Sequence, residues 1–278
     1  MTKVPISFLT LLLIVTAGIG SGFAQAHITK LNAGGNSQSS DEQQPRLVLQ
    51  LGHVGEGVTA AAYSPDGRFI LTGSYDKTAC LWDSASGREL RRFKGHEEAV
   101  NAVSFSPDGR FILTGAGGVE DSLDNSARLW DIQNGREIRR FEGHTLGILS
   151  LAFSADGRQI LSGGYDKSAR LWDVATGRQL LVFKANDSLA ITSVSFIPNS
   201  RFIVIGGWLR PAQVWDKFSG TEVRTFPMES LGSSITALAV SPDGLYLITA
   251  ENEVVRLWNC KREEKRRDLQ DTQVKSYQ

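Results

Sequence analysis

Five tryptophans, Trp82, Trp130, Trp172, Trp215 and Trp258, recur at spacings of 48, 42, 43 and 43 residues. A period of that size means that one unit has been copied along the chain. Such a unit cannot bury a core alone, so it must stack on its neighbours, and the period predicts an array of similar layers.

The turns inside the unit predict four short strands. Ser64-Pro65-Asp66-Gly67, Ser106-Pro107-Asp108-Gly109, Ser154-Ala155-Asp156-Gly157 and Ser241-Pro242-Asp243-Gly244 place Pro early and Gly where the backbone needs a positive φ, with Ile197-Pro198-Asn199-Ser200 as a degenerate copy. Beside them lie apolar runs such as Phe69-Ile70-Leu71-Thr72 and Phe202-Ile203-Val204-Ile205. These are too short for helices and read as strands buried on both faces. A second turn, such as Ala85-Ser86-Gly87, leads to an outer strand whose charges, as in Glu89-Leu90-Arg91-Arg92-Phe93, suit an exposed edge.

Gly52-His53 precedes Leu81-Trp82-Asp83, Gly95-His96 precedes Leu129-Trp130-Asp131, and Gly143-His144 precedes Leu171-Trp172-Asp173. With these motifs the chain resembles the WD-repeat family over residues 46–259, within a propeller domain expected at 46–260. The resemblance implies an all-β propeller of five blades, each of four antiparallel strands. In that family a repeat supplies the outer strand of one blade and the inner three of the next. Residues 47–51 are therefore expected to complete blade five and close the ring, since a charged run from Lys261 follows the last tryptophan. A piece of a longer protein, or association of open fans, is the alternative. The tail 261–278 is expected to be disordered.

The same resemblance assigns the histidines to structure. It implies a buried network of His, a hydroxyl, Asp and Trp in each blade, in which every polar group satisfies the next. On this reading blade one holds His53, Ser74, Asp76 and Trp82. Blade two holds His96, Asp124 and Trp130 with Ala116 at the hydroxyl position, and blade three holds His144, Asp166 and Trp172 with Gly164 there. Blades four and five depart further, with Asn186-Asp187 and Glu229-Ser230 in place of Gly-His and with Leu209 and Asn252 in place of Asp. No metal site and no cofactor are expected. The carboxylates of the longer turn 117–123 are too few for a calcium cage.

The family's partners contact the face bearing the turns before the third strands. That implies a protein-binding surface of Tyr75, Leu123, Tyr165, Trp208 and Glu251, ringed by Thr59, Asn101, Leu149, Thr192 and Thr236. Nothing in the chain matches a nucleophile elbow, a phosphate loop or a zinc-protease motif, so no catalytic residue is expected. The function expected is a non-catalytic protein-interaction scaffold. An enzyme or small-molecule binder using the central channel, or a fragment of a longer signalling protein, is the alternative.

Met1-Thr2-Lys3, an apolar run and Ala24-Gln25-Ala26 read as a signal peptide over residues 1–26. The mature chain is expected in the periplasm or outside the cell, as a monomer with no membrane span. Polar residues 27–45 read as a flexible linker. Removing Lys3 leaves 29 basic against 30 acidic residues, which argues against a nucleic-acid partner. Cys80 and Cys260 are too few for a disulfide scaffold, and one packed and one near-surface thiol are expected.

Overall fold

A computed structural model describes residues 52–53, 57–120, 122–184, 190–228, 232–251, 254–260 and the backbone of 265–268. The expected leader, linker and N-terminal strand lie outside these residues, as do Asn186-Asp187, Glu229-Ser230 and Asn252.

The described strands form five antiparallel sheets of four, each paired in chain order. The first holds Val58–Tyr63 (β1), Phe69–Ser74 (β2), Thr78–Asp83 (β3) and Glu89–Lys94 (β4). In the second are Val100–Phe105 (β5), Phe111–Ala116 (β6), Ala127–Asp131 (β7) and Glu137–Phe141 (β8). Next come Ile148–Phe153 (β9), Gln159–Gly164 (β10), Ser168–Asp173 (β11) and Gln179–Lys184 (β12). The fourth sheet contains Ile191–Phe196 (β13), Phe202–Gly207 (β14), Arg210–Asp216 (β15) and Glu222–Phe226 (β16). The fifth contains Ile235–Val240 (β17), Tyr246–Glu251 (β18), Val254–Asn259 (β19) and Lys265–Asp268 (β20).

The predicted turns form as their chemistry requires. Ser64 Oγ donates to Asp66 Oδ1 at 2.6 Å and accepts the Phe69 N–H at 2.9 Å, while Gly67 takes a φ of 72°. The apolar second strands are buried almost throughout. In the outer strand β4, by contrast, only Phe93 is fully covered, which is why a charged sequence is tolerated there.

Four hydrophobic clusters hold the array together, each joining one sheet to the next. Leu71, Leu81 and Phe93 of the first sheet, for example, pack with Phe105, Ile112 and Trp130 of the second. The later clusters repeat this arrangement around Trp172, Trp215 and Trp258. Each tryptophan thus anchors its sheet to the preceding one, and the phenylalanine of the preceding outer strand meets it at 5.3–5.9 Å between ring centres.

Two expectations about the ends are corrected. The edge of β19 is taken by β20, with Arg256 opposite Asp268 and Trp258 opposite Lys265, so residues 265–268 are ordered in a strand that the N-terminal segment was expected to supply. An outer strand faces solvent on one side, and a charged run fits it as well as an apolar one. The innermost strands pack in sequence, β1 on β5, β5 on β9, β9 on β13 and β13 on β17. Among the described residues β17 and β1 make no interface of this kind.

Candidate protein-binding face and its supporting network

A buried relay lies under one end of each of the first three sheets. In the second, His96 Nδ1 is 2.8 Å from Asp124 Oδ2 and Nε2 is 2.7 Å from Thr114 Oγ1, which also accepts the Trp130 indole N–H at 2.8 Å. A carboxylate only accepts, so the Nδ1–H points at Asp124 and Nε2 receives the threonine hydroxyl. Thr72 and Ser162 play the same part for His53 with Trp82 and for His144 with Trp172.

The hydroxyl therefore sits two residues before the position expected. Ser74 instead donates to the Gly57 carbonyl and accepts the Asp76 N–H. With Thr114 and Ser162 in place, the second and third relays are complete despite Ala116 and Gly164. In the fifth sheet Thr249 still accepts from Trp258 at 2.9 Å. The fourth has Ile205 at this position, and the buried Trp215 Nε1 is without a hydrogen-bond partner.

Cations brace these relays. Arg128, 3% exposed, reaches Asp124 at 2.8 Å and Glu137 at 3.1 Å. Cys80 replaces that arginine in the first sheet, and Arg92 from β4 takes over, reaching Asp76 at 3.3 Å and Glu89 at 2.8 Å. Burial pushes the Cys80 thiol up to about 12, which marks it as an inert packed group. Cys260 is half-buried and, like Cys80, unpaired with another cysteine.

Above the relays, Tyr75, Tyr165 and Trp208 occupy equivalent turn positions. Their backbone N–H groups bond Gly57, Gly147 and Ala190, each just before the inner strand of the same sheet. The Tyr165 and Trp208 rings meet edge to face at 5.7 Å although both are part-exposed, and Tyr75 is 55% exposed. Burial, and after it the charge of Tyr75, push the Tyr165 phenol above its usual range. Leu123 stands at the tip of the longer turn with 77% of its surface exposed.

Glu251 does not belong to this surface. It pairs with Val254 of β19, so it is still in β18, and its side chain is buried against Arg256 Nη1 at 2.5 Å. The inner-strand residues are part-buried, and several act between sheets. Thr59 donates to the Val100 carbonyl, Asn101 to those of Gly117 and Ile148, and Thr192 to that of Ile235. Thr236 bonds Ala250 within its own sheet, while Leu149 has no such group to offer. Thr59, Asn101 and Thr192 thus latch one layer to the next.

A family model described as "WD domain, G-beta repeat" matches residues 44–83, 87–131, 135–173, 177–216 and 220–259. The chain belongs to this WD-repeat family. One stretch of 39 residues is 49% identical to "Dynein assembly factor with WD repeat domains 1" of Homo sapiens and 46% identical to the Danio rerio protein of the same name. Those matches cover 14% of this chain and 9% of each relative, so the chain spans only a small part of the curated relatives it matches.

The relays make the WD repeats unequal in energy. Replacing Trp82 by Phe strips Thr72 of a buried donor, whereas replacing Trp215 removes a donor that has no partner. The first change is expected to cost about 1–2 kcal/mol more than the second. Urea melts of the two variants check this, and equal losses reject it.

Burial pushes the His96 and His144 imidazoles below the ordinary histidine range, against the pull of Asp124 and Asp166. The folded WD array therefore binds these protons less well than the unfolded chain. Its stability is full above the unfolded histidine value near pH ~6.5 and falls as pH drops through it. The expected slope is at most about 1.4 kcal/mol per pH unit for each histidine. Hydrogen bonds from the histidines, working against burial, hold the carboxyls of Asp124 and Asp166 well below the carboxylate range, so they add no slope in this window. A flat urea-stability profile between about pH 7.5 and about pH 5.5 rejects the neutral-imidazole relay.

Proposed function

We propose that this WD-repeat chain is a non-catalytic scaffold, exported to the periplasm or the extracellular space, that takes a protein partner on the face carrying Tyr75, Leu123, Tyr165 and Trp208. The observation that carries the reading is the meeting of Tyr165 and Trp208 from two sheets at a part-exposed surface, with Tyr75 at the equivalent turn of a third, all held by turns whose backbones are fixed from below. Large rigid rings at a surface are the side chains that concentrate binding energy in protein interfaces. The conspicuous carboxylates are engaged elsewhere, Asp76, Asp124 and Asp166 in relays and Asp66, Asp108 and Asp156 in turns. Among the described residues no three of His, Cys, Asp or Glu gather where they could hold a metal ion. The relatives are, by their printed name, assembly factors, a role in keeping with holding proteins together.

Changing Tyr75, Tyr165 and Trp208 together to Ala is expected to leave the melting temperature near that of the parent and to abolish recovery of the partner by affinity capture from an envelope fraction. Each truncation is expected to cost about 2 kcal/mol or more of binding. A variant that recovers the parent's full set of proteins rejects this face. N-terminal sequencing of the mature chain, expected to begin at His27 or Gln25, tests the export reading, and recovery of Met1 overturns it.

A further inference from the structure

Residues 75–77 and 165–167 join the second strand to the third in the first and third sheets, and 208–209 do so in the fourth. In the second sheet the same connection takes residues 117–126. Ordering a turn of that length costs conformational entropy that a shorter turn avoids, so contacts must hold it. They do so at several points. The Gly118 N–H donates to Ser122 Oγ at 3.0 Å across the turn. At its base the Gly117 N–H donates to the Ala99 carbonyl at 3.1 Å, and the Gly117 carbonyl accepts from Asn101 Nδ2 at 2.7 Å. Asn125 Nδ2 donates to the Thr145 carbonyl of the third sheet's entry loop at 3.2 Å.

Gly147 ties this turn to the aromatic face. Its N–H donates to the Gly118 carbonyl at 2.7 Å, and its own carbonyl accepts the Tyr165 N–H at 2.9 Å. The two backbones pack so closely that a Cβ added at Gly147 would collide with the Gly117 carbonyl, so a larger residue there would displace the turn. The frame held in this way presents Val119, 54% exposed, and Leu123, 77% exposed, to solvent. Side chains so exposed add little to the core, whereas apolar groups on a turn that is already ordered lower the entropy cost of binding.

The free charge beside these tips is of one sign. The two turns at this end of the second sheet, 95–99 and 117–126, contain no lysine or arginine. Asp124 is balanced by Arg128 inside the relay. The exposed Glu97 and Glu120 and the part-exposed Glu98 form no ion pair with a described residue. From the first sheet Lys77 reaches across, its Nζ donating to the Glu97 carbonyl at 2.7 Å, and one lysine leaves three carboxylates in excess. Apolar tips among carboxylates complement a surface that is apolar and basic, and they repel an acidic one. Building on the protein-binding reading above, we infer that the partner segment taken by this face is basic and apolar. Its aliphatic or aromatic side chains lie against Val119 and Leu123, and its lysines or arginines face Glu97, Glu98 and Glu120.

A random peptide library displayed on phage and selected on the full chain tests this, with the selected sequences then synthesised and their affinities measured by titration calorimetry. Selected peptides are expected to carry an excess of Lys and Arg beside Leu, Ile, Met or Phe. Changing Val119 and Leu123 together to Ser is expected to weaken their binding about 30-fold. Changing Glu97, Glu98 and Glu120 together to Gln is expected to weaken it about 10-fold, a difference that shrinks as salt is added. Both variants are expected to melt at the parent's temperature, since the altered side chains lie at the surface. Three results overturn the inference: no selected peptide, peptides without a basic excess, or peptides that bind the Val119→Ser, Leu123→Ser chain as tightly as the parent. Basic peptides that need Val119 and Leu123 but bind the Tyr75, Tyr165 and Trp208 triple variant unchanged uphold this inference and reject the aromatic residues as the binding surface.

Discussion

Replacing Asp124 by Ala is expected to lower the unfolding free energy by about 3–5 kcal/mol, the range seen when one partner of a buried charged network is removed. Asp124 is 6% exposed and accepts from the His96 ring, the Glu97 N–H, the Ser126 N–H and hydroxyl, and Arg128. Alanine takes this acceptor from all of them, and Arg128, itself 3% exposed, keeps Glu137 and a 3.4 Å bond to Ser126 Oγ. Asp124→Asn preserves the shape and part of the acceptance, so it is expected to cost less. Denaturant melts followed by tryptophan fluorescence measure both, and a loss below about 1 kcal/mol for the alanine variant rejects the relay as a source of stability.

Glu251→Ala is expected to destabilise by a similar amount, about 3–5 kcal/mol, with no effect on partner binding beyond that of unfolding. The Glu251 and Arg256 side chains are 4% and 2% exposed, so removing the carboxylate takes its partner in a buried ion pair from the guanidinium. A double change to Met at both positions is expected to recover most of the loss, since two apolar side chains of similar size replace a pair whose desolvation is costly. A double-mutant cycle reads the coupling directly. Loss of capture at unchanged stability for Glu251→Ala would restore the residue to the binding face.

Glu251 shows where sequence reading stops. The repeat alignment places it beside Tyr75, Tyr165 and Trp208, but a shift of one residue along a strand sends the side chain to the opposite face. The pairing of Glu251 with Val254 decides the matter. Thr72 and Ser74 present the same problem in milder form. Two residues apart on one strand, they share a face, so alternation alone cannot tell which hydroxyl meets His53 and Trp82. The cross-strand partners choose, with Trp82 opposite Ile70 and its indole nitrogen reaching Thr72.

By itself the sequence determined the repeat, the four strands per unit and the Ser-Pro-Asp-Gly turns, because each rests on local chemistry or on a period, while the histidines, aspartates and tryptophans of three relays followed from the family resemblance that its motifs carry. Tyr75, Tyr165 and Trp208 were legible for the same reason, as aromatics at equivalent places in polar turns. Tertiary structure alone decided the rest. The charged run at 265–268 became the outer strand of the fifth sheet because β19 offered an unpaired edge, and an edge strand needs only one covered face. Whether the first and fifth sheets touch depends on small rotations accumulated over four interfaces, set by how side chains such as Val100 and Ile191 seat against Gly73 and Gly163. No local pattern encodes that sum.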